Sequence, residues 1–260
     1  MIGIGIFSWF SYVLPIQERL RLIKDAGFDA TSLWWEGEDR HIQPDLARKT
    51  GLQIDNIHTP VATCSDLLWL DGASGEDYKD IIISCVEDCR THEIPTAVIH
   101  LTSFEGNTAV TDTGLRRIGE IIDVAEQRNV RLAFENLSNL DHIAAVFGRF
   151  PSPYIGFCYD SGHENLNPDQ DCLALFGDRL FALHINDNIG DGDIHILPFD
   201  GTVDWNAKMQ KLKSCKDACY LTLEVGYCWN HEKCAIYRNL SAKEYLRLAY
   251  KKATDLLKLP

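Results

Sequence analysis

Short apolar runs rich in Val, Ile, Leu and Phe recur along the chain, each followed by a longer segment where apolar residues return every three or four positions among charges. Eight such runs stand out: residues 3–7, 30–35, 53–58, 96–101, 131–135, 154–159, 180–185 and 220–225. Runs such as AVIH and YIGF do not alternate, which suits strands buried on both faces of a parallel sheet. Between them the spacing predicts helices over 16–26, 45–50, 76–91, 113–128, 140–147, 172–176, 206–214 and 242–257. Gly27 and Gly51 follow the first two helices where a left-handed residue ends a helix. Asp204 and Ser241 precede the last two as N-caps, Ser241 with Glu244 at capping-box spacing. Eight βα units without a linker predict a single α/β domain, residues 1–260, closed as a (β/α)8 TIM barrel. An open doubly wound sheet is the alternative, but no GxGxxG loop supports a dinucleotide-binding version of it.

Composition narrows the function classes. With 45% hydrophobic residues the chain can bury a large core unaided. Its net charge of −13, from 25 Lys and Arg against 38 Asp and Glu, argues against a surface that grips a nucleic-acid backbone. The nine Cys form no CxxC pair and no even framework, and several fall in apolar runs, so a reduced compartment is expected. The opening MIGIGIFSWF has no basic stretch or cleavage site, and no apolar run approaches the roughly 20 residues of a membrane span. A cytoplasmic protein, without a membrane partner, is the expectation.

The chemistry lies at the ends of the runs. His58 closes the third strand, His100 the fourth, Glu135 the fifth, Asp160 the sixth, His184 the seventh and Glu224 the eighth. His163 follows Asp160 by three residues, and Asp193 and His195 lie in the loop after the seventh strand. In a parallel barrel all strand C-termini emerge at one face, so these nine side chains converge. Imidazole and carboxylate together suit a divalent cation such as Zn, Mn, Co or Mg. So many buried carboxylates would repel one another and rise in pKa without one. His41, His92, His142 and His231 have no comparable placement and read as loop or helix residues.

FENL at 134–137, YDSGH at 159–163, LHINDN at 183–188, DIH at 193–195, FDGTVDW at 199–205 and LTLEVG at 221–226 carry a resemblance over nearly the whole chain. In this order they resemble the xylose-isomerase-like barrels, the superfamily of sugar isomerases and epimerases and of endonuclease IV. The isomerase resemblance implies one metal held by Glu135, Asp160, His184 and Glu224, with Glu135 and Glu224 as the catalytic pair that removes and returns a proton beside a carbonyl. It also implies that His163 contacts a substrate hydroxyl. The endonuclease IV resemblance implies up to three metals. His58 and His100 would join the bridging Glu135, while His163, Asp193 and His195 would form a third site.

The reading placed first is a metal-dependent isomerase or epimerase of a small sugar, sugar phosphate or related polyhydroxy ketone. Aromatics near the strand ends favour a carbohydrate-like substrate: Phe7, Trp9, Trp34, Trp35, Trp69, Tyr227 and Trp229. Trp9, Trp35 and the adjacent Glu36 are the candidate substrate contacts. Ketohexose epimerases usually carry an Arg shortly after the seventh-strand His; here the segment is HINDNIGDGD, without one. The alternatives are a tri-metal phosphoesterase acting on abasic DNA, a metal-dependent lyase or hydrolase on the same scaffold, and a non-catalytic binding barrel. Association into a homo-oligomer is compatible with the architecture, and nothing in the sequence sets it.

Overall fold

A computed structural model describes residues 2–104, 107–215, 219–226 and 232–260. Its eight strands are β1 (Ile4–Phe7), β2 (Ala30–Trp34), β3 (Gln53–His58), β4 (Thr96–Ile99), β5 (Arg131–Glu135), β6 (Ile155–Asp160), β7 (Leu180–His184) and β8 (Leu221–Leu223). The helices of the described residues are α1 (Ile16–Ala26), α2 (Gln43–Lys49), α3 (Ala73–Thr91), α4 (Asp112–Arg128), α5 (Asp141–Arg149), α6 (Ser161–Leu166), α7 (Cys172–Phe176), α8 (Trp205–Ser214) and α9 (Ala242–Lys258). The strands pair in parallel in the order β7-β6-β5-β4-β3-β2-β1-β8. A bridge between Ile185 and Leu223 joins the two ends, with the Ile185 amide on Thr222 O at 2.8 Å. That closure makes the molecule a (β/α)8 barrel and excludes the open sheet.

The predicted phase holds. Gly27 (φ 110°) and Gly51 (φ 81°) take the left-handed conformation that ends α1 and α2. Asp204 accepts from the Ala207 amide, and Ser241 and Glu244 form a reciprocal capping box. On α1 the buried residues Ile16, Leu20 and Ile23 fall on one stripe, facing the sheet. The sequence reading missed α6 and the 3₁₀ turns Ala62–Leu68, Gly177–Arg179 and Glu232–Tyr237. No helix among the described residues is long and apolar enough to cross a membrane. Cys85, Cys89, Cys158, Cys172 and Cys219 are buried free thiols.

Inside the barrel the layer beneath the strand ends is small. Val98, Ala133, Cys158 and Ala182 form one buried cluster, one residue from each of β4 to β7. Opposite them lie Gly5 and Thr222, so close that a Cβ on Gly5 would sit 2.6 Å from the threonine hydroxyl. β3 carries an irregularity in its pairing with β2 between Ile54 and Ile57, both of which pack in the main core. The extra residue lets Asp55 reach Thr222 Oγ1 at 2.6 Å, and it turns His58 inward.

Candidate metal centre and cavity

Glu135 is the hub of the barrel mouth. Its Oε2 lies 3.3 Å from His58 Nε2, 3.2 Å from His100 Nε2 and 3.0 Å from His184 Nδ1, and its Oε1 lies 3.3 Å from His163 Nδ1. Glu224 Oε2 approaches the same His184 Nδ1 at 2.9 Å. Glu135, Asp160, His184 and Glu224, all buried, each offer one donor atom within 4.8 Å of the others. Two further groups meet that distance: His58, Glu135 and His184, and His163, Asp193 and His195. Eight of the nine predicted donors thus cluster by donor distance, and His100 joins through its contact with Glu135.

Lone-pair directions test whether this set fits a cation. His184 Nδ1 is close to two carboxylate oxygens, yet neither contact has hydrogen-bond geometry, and Glu224 Oε2 is likewise without a hydrogen-bond partner. Three other imidazoles are anchored through Nδ1 to a backbone carbonyl: His58 on Thr59 O (2.7 Å), His163 on Asn136 O (2.9 Å) and His195 on Glu224 O (2.8 Å). A carbonyl only accepts, so each Nδ1 carries the proton, and in the neutral ring Nε2 is a bare acceptor. Those Nε2 atoms face Glu135 or Asp193 carboxylate oxygens at 3.0–3.4 Å. Acceptor facing acceptor in a buried site calls for a cation between them or a proton on the ring. The donors present fit a divalent cation.

The electrostatics express the same conflict. Burial opposes the charged form of Glu135, but His184 and His100 outweigh it and hold the carboxyl well below its usual range. Burial, helped by Glu135 and Glu224 and opposed by His163, pushes Asp160 up to about 7. His195 rises to about 10 because Asp193, with help from Glu224, overcomes the cost of burying its charge. Asp193 in turn is lowered by His195 and His163 against the same burial. The protons sit where a metal would otherwise supply positive charge.

Local structure sets each donor. Asp160 also caps α6, its Oδ1 accepting the His163 amide at 2.7 Å, so one carboxylate starts the helix that aims His163. Asn186 Nδ2 holds the other oxygen at 2.7 Å, and Asn136 takes both the amide and the carbonyl of Asp160. After β7, Asp187 pairs with Ile196 as an antiparallel bridge. This folds the loop back, and His195 (φ 44°) hangs from Glu224 O while its own carbonyl accepts from Gly226. Asn136, Asn186 and Asp187 were missed by the sequence reading; their signal was their place beside Glu135 and His184.

Above the donors opens a cavity of about 330 Å³. Glu135, Glu224, Asp193 and four imidazoles line it together with Phe7, Trp9, Trp34, Val61, Ile194 and Val225. Trp34 stacks on His58 at 4.5 Å and Phe7 meets His184 edge-on at 4.9 Å. Trp9 lines the cavity, with the Arg19 guanidinium over its ring. Trp35 and Glu36 do not. Trp35 Nε1 donates to Asp88 on α3 at 2.7 Å, its ring stacks under Arg40, and Glu36 is exposed outside the cavity lining. The physical reason is parity: β2 ends at Trp34, and the next side chain points the other way. Trp69 is also structural, buried with its indole N–H on Leu101 O and its ring on His142. Tyr227, Trp229 and His231 lie outside the described residues.

The model of a family described as xylose isomerase-like TIM barrel matches residues 20–244. The chain is 37% identical over 235 residues to an uncharacterised protein, y4fM, of Sinorhizobium fredii, covering 74% of this chain and 75% of that one. It is 24% identical over 183 residues to a probable endonuclease 4 of Thermoplasma volcanium, covering 63% and 65% of the two chains. Among solved structures, a D-psicose 3-epimerase crystallised in the presence of D-fructose superposes with a TM-score of 0.78 over 98% of this chain and 99% of its own, at 15% identity. That last likeness speaks for the fold alone. The span of the family match, together with the closed barrel, shows that this chain belongs to the xylose isomerase-like TIM barrel family.

Proposed function

We propose that the protein is a divalent-cation-dependent isomerase or epimerase of a small polyhydroxy ketone, with Glu135, Asp160, His184 and Glu224 as the metal ligands. The observation that carries this reading is the buried pair Glu135 and Glu224, each about 3 Å from the same His184 nitrogen and each also lining the cavity. A cation held by the four groups would draw negative charge from the substrate carbonyl oxygen, lowering the cost of ionising the neighbouring C–H. One glutamate takes that proton, and the electron pair left on carbon delocalises onto the carbonyl oxygen. The second glutamate, once it has taken up a proton from solvent, delivers it to carbon, from the opposite face for an epimerisation, and the first glutamate releases its proton to solvent. The low ionisation range of both glutamates keeps them as bases near neutrality. His163, anchored on Asn136 O and lining the cavity, is positioned to bind a substrate hydroxyl. Phe7, Trp9 and Trp34 offer flat faces for C–H surfaces and exclude water.

The test is deuterium wash-in beside the carbonyl of candidate ketoses in D₂O with added Mn²⁺. Wild-type protein should exchange and Glu224→Gln should lose at least about a hundredfold, the usual scale for a positioned base. Unchanged exchange in the variant removes Glu224 from this role.

A second reading, a multinuclear phosphoester hydrolase, is favoured by one observation. His58, His163 and His195 each hold Nδ1 on a backbone carbonyl and turn Nε2 toward a carboxylate, which is more potential donor capacity than a single cation uses. Elemental analysis giving two or three metals per chain, with nicking of an abasic oligonucleotide, would favour it. The charge of −13 speaks against DNA as the substrate.

A further inference from the structure

Asp55 is a buried carboxylate that the proposed chemistry leaves unused. Its Oδ2 accepts from Thr222 Oγ1 at 2.6 Å and from Asn56 Nδ2 at 3.0 Å. Burial pushes its pKa up to about 6, against those two bonds and the more distant imidazole of His184, so the group is ionised near neutrality. The bond to Thr222 is therefore a short, charge-assisted one inside the barrel. Its ends stand 167 residues apart in the chain, on strands that do not pair, for β1 and β2 lie between β3 and β8.

Three local features let the bond cross. The pairing irregularity in β3 turns both Asp55 and His58 inward, although an odd spacing normally sends two strand residues to opposite faces. On β1, Gly5 is the register partner of Thr222, and a Cβ there would sit 2.6 Å from the threonine hydroxyl. On β2, the partner of Gly5 is Ala30, which brings no more than a methyl group. Each end of the bond also lies beneath a donor of the mouth. Asp55 comes three residues before His58, and Thr222 comes two before Glu224, on the same face of its strand.

Glu224 depends on that strand for its place. Its Oε2 has no hydrogen-bond partner, and the group it meets, His184 Nδ1 at 2.9 Å, is a fellow donor. β8 has three residues, pairs with β1, and meets the end of β7 through the bridge between Ile185 and Leu223. Asp55 gives it a further attachment, from inside the barrel. Above the bond, Phe7 of β1 and Trp34 of β2 line the cavity together with His58 and Glu224.

We propose, resting on the isomerase reading above, that Asp55 is a positioning residue: through Thr222 it ties the strand carrying Glu224 to the strand carrying His58, and so sets where the Glu224 carboxylate stands relative to the other donors and the aromatic faces. Gly5 belongs to the same device, because its missing side chain is the passage for the bond.

The experiment is calorimetric titration of metal-free protein with Mn²⁺, followed by deuterium wash-in with ketoses in D₂O at saturating Mn²⁺. Thr222→Val removes the donor at nearly constant shape, and Thr222→Ser keeps it. Thr222→Val should bind Mn²⁺ about tenfold or more weakly, the scale expected when the support of a ligand is disturbed. It should also lose about 10–100-fold in kcat with KM within about threefold, as a displaced base would. The visible absorption of the Co²⁺-loaded protein reads the ligand geometry apart from turnover, and its bands should move in Thr222→Val. Thr222→Ser should restore all three. Wild-type values in Thr222→Val, or equal losses in Thr222→Ser, overturn the role given to Asp55 and leave the isomerase reading standing. Wild-type protein that binds no divalent cation removes both. Should Thr222→Val fail to fold, the double variant with Asp55→Val takes its place, since it leaves no carboxylate buried there; wild-type values in that variant overturn the role equally.

Discussion

Gly162 is the most exposed point of the reasoning about how the donors are held, because a single methyl group should dislodge one of them. It sits in the first turn of α6, two residues after Asp160, and its φ is unexceptional, so alanine meets no backbone strain. The obstacle is steric. A Cβ there would lie 1.9 Å from Asn186 Oδ1, 2.9 Å from Asn186 Cγ and 3.0 Å from Asn188 Nδ2. Asn186 has little freedom to retreat, since Ser161 Oγ bonds both its amide (3.0 Å) and its carbonyl (2.7 Å). The side-chain amide must swing away, and Asp160 Oδ2 then loses its 2.7 Å donor.

Overpacking of this kind costs about 1–3 kcal/mol. Loss of a hydrogen bond to a buried charged group adds about 1.5–3 kcal/mol. The reduced freedom of the unfolded chain returns about 0.4–1 kcal/mol. Gly162→Ala is therefore expected to lose about 2–5 kcal/mol in urea unfolding, and divalent-cation affinity should fall about 10–100-fold, the usual effect of disturbing a group that orients a ligand. Gly148→Ala in α5 is the control, because no atom lies within 4 Å of its added Cβ; it should be neutral or slightly stabilising. In the double variant with Asn186→Ala the clash is gone, so the two losses should not add. Wild-type stability and Mn²⁺ affinity in Gly162→Ala, or strict additivity in the double variant, would refute the proposed chain from Gly162 through Asn186 to Asp160.

Three further outcomes follow. Chelation should lower the melting temperature, and Mn²⁺ or Zn²⁺ at a thousand times its Kd should restore about 4 kcal/mol; a melting temperature indifferent to chelator removes the metal centre. Trp34→Leu should raise KM about 5–30-fold with modest loss of stability, as a cavity wall would, whereas Trp35→Leu should leave KM alone and lose about 1–2 kcal/mol with its bond to Asp88; the reverse pattern would return Trp35 to the site. His142 is buried against Trp69, and that burial lowers its pKa. Its folded value lies below the unfolded one, so the unfolded chain binds more protons in that window. The stability this residue contributes is complete above about pH 6.5 and declines as pH falls below it. His142→Phe should flatten the fall in urea midpoint between neutral and mildly acidic pH, and an unchanged slope would assign the acid sensitivity elsewhere.

The fold and the convergence of these His, Asp and Glu side chains were legible in the sequence for a physical reason. A parallel barrel turns every strand C-terminus to one face, so a polar residue ending each apolar run is a statement about a shared site. Parity within a strand was less legible. The run 30–35 reads as apolar throughout, and only the end of β2 at Trp34 decides which tryptophan faces the cavity. The irregularity in β3 re-phases His58 in a way that no period-two reading of QIDNIH contains. Asn136, Asn186 and Asp187 were passed over because Asn and Asp after a strand read as turn residues, and their bonds to Asp160 and to the β7 loop join segments far apart in the chain.

The number of cations such a site could hold belongs to this second kind of information. His58, His163 and His195 could each present either ring nitrogen. The choice is made by Thr59 O, Asn136 O and Glu224 O, three backbone carbonyls that hold Nδ1–H and leave Nε2 facing a carboxylate. His184 has no such hydrogen bond, and its Nδ1 faces Glu135 and Glu224 instead. The nine donors name the chemistry, but the carbonyls that orient them decide how many of their lone pairs converge on one point and how many remain for a second or third ion.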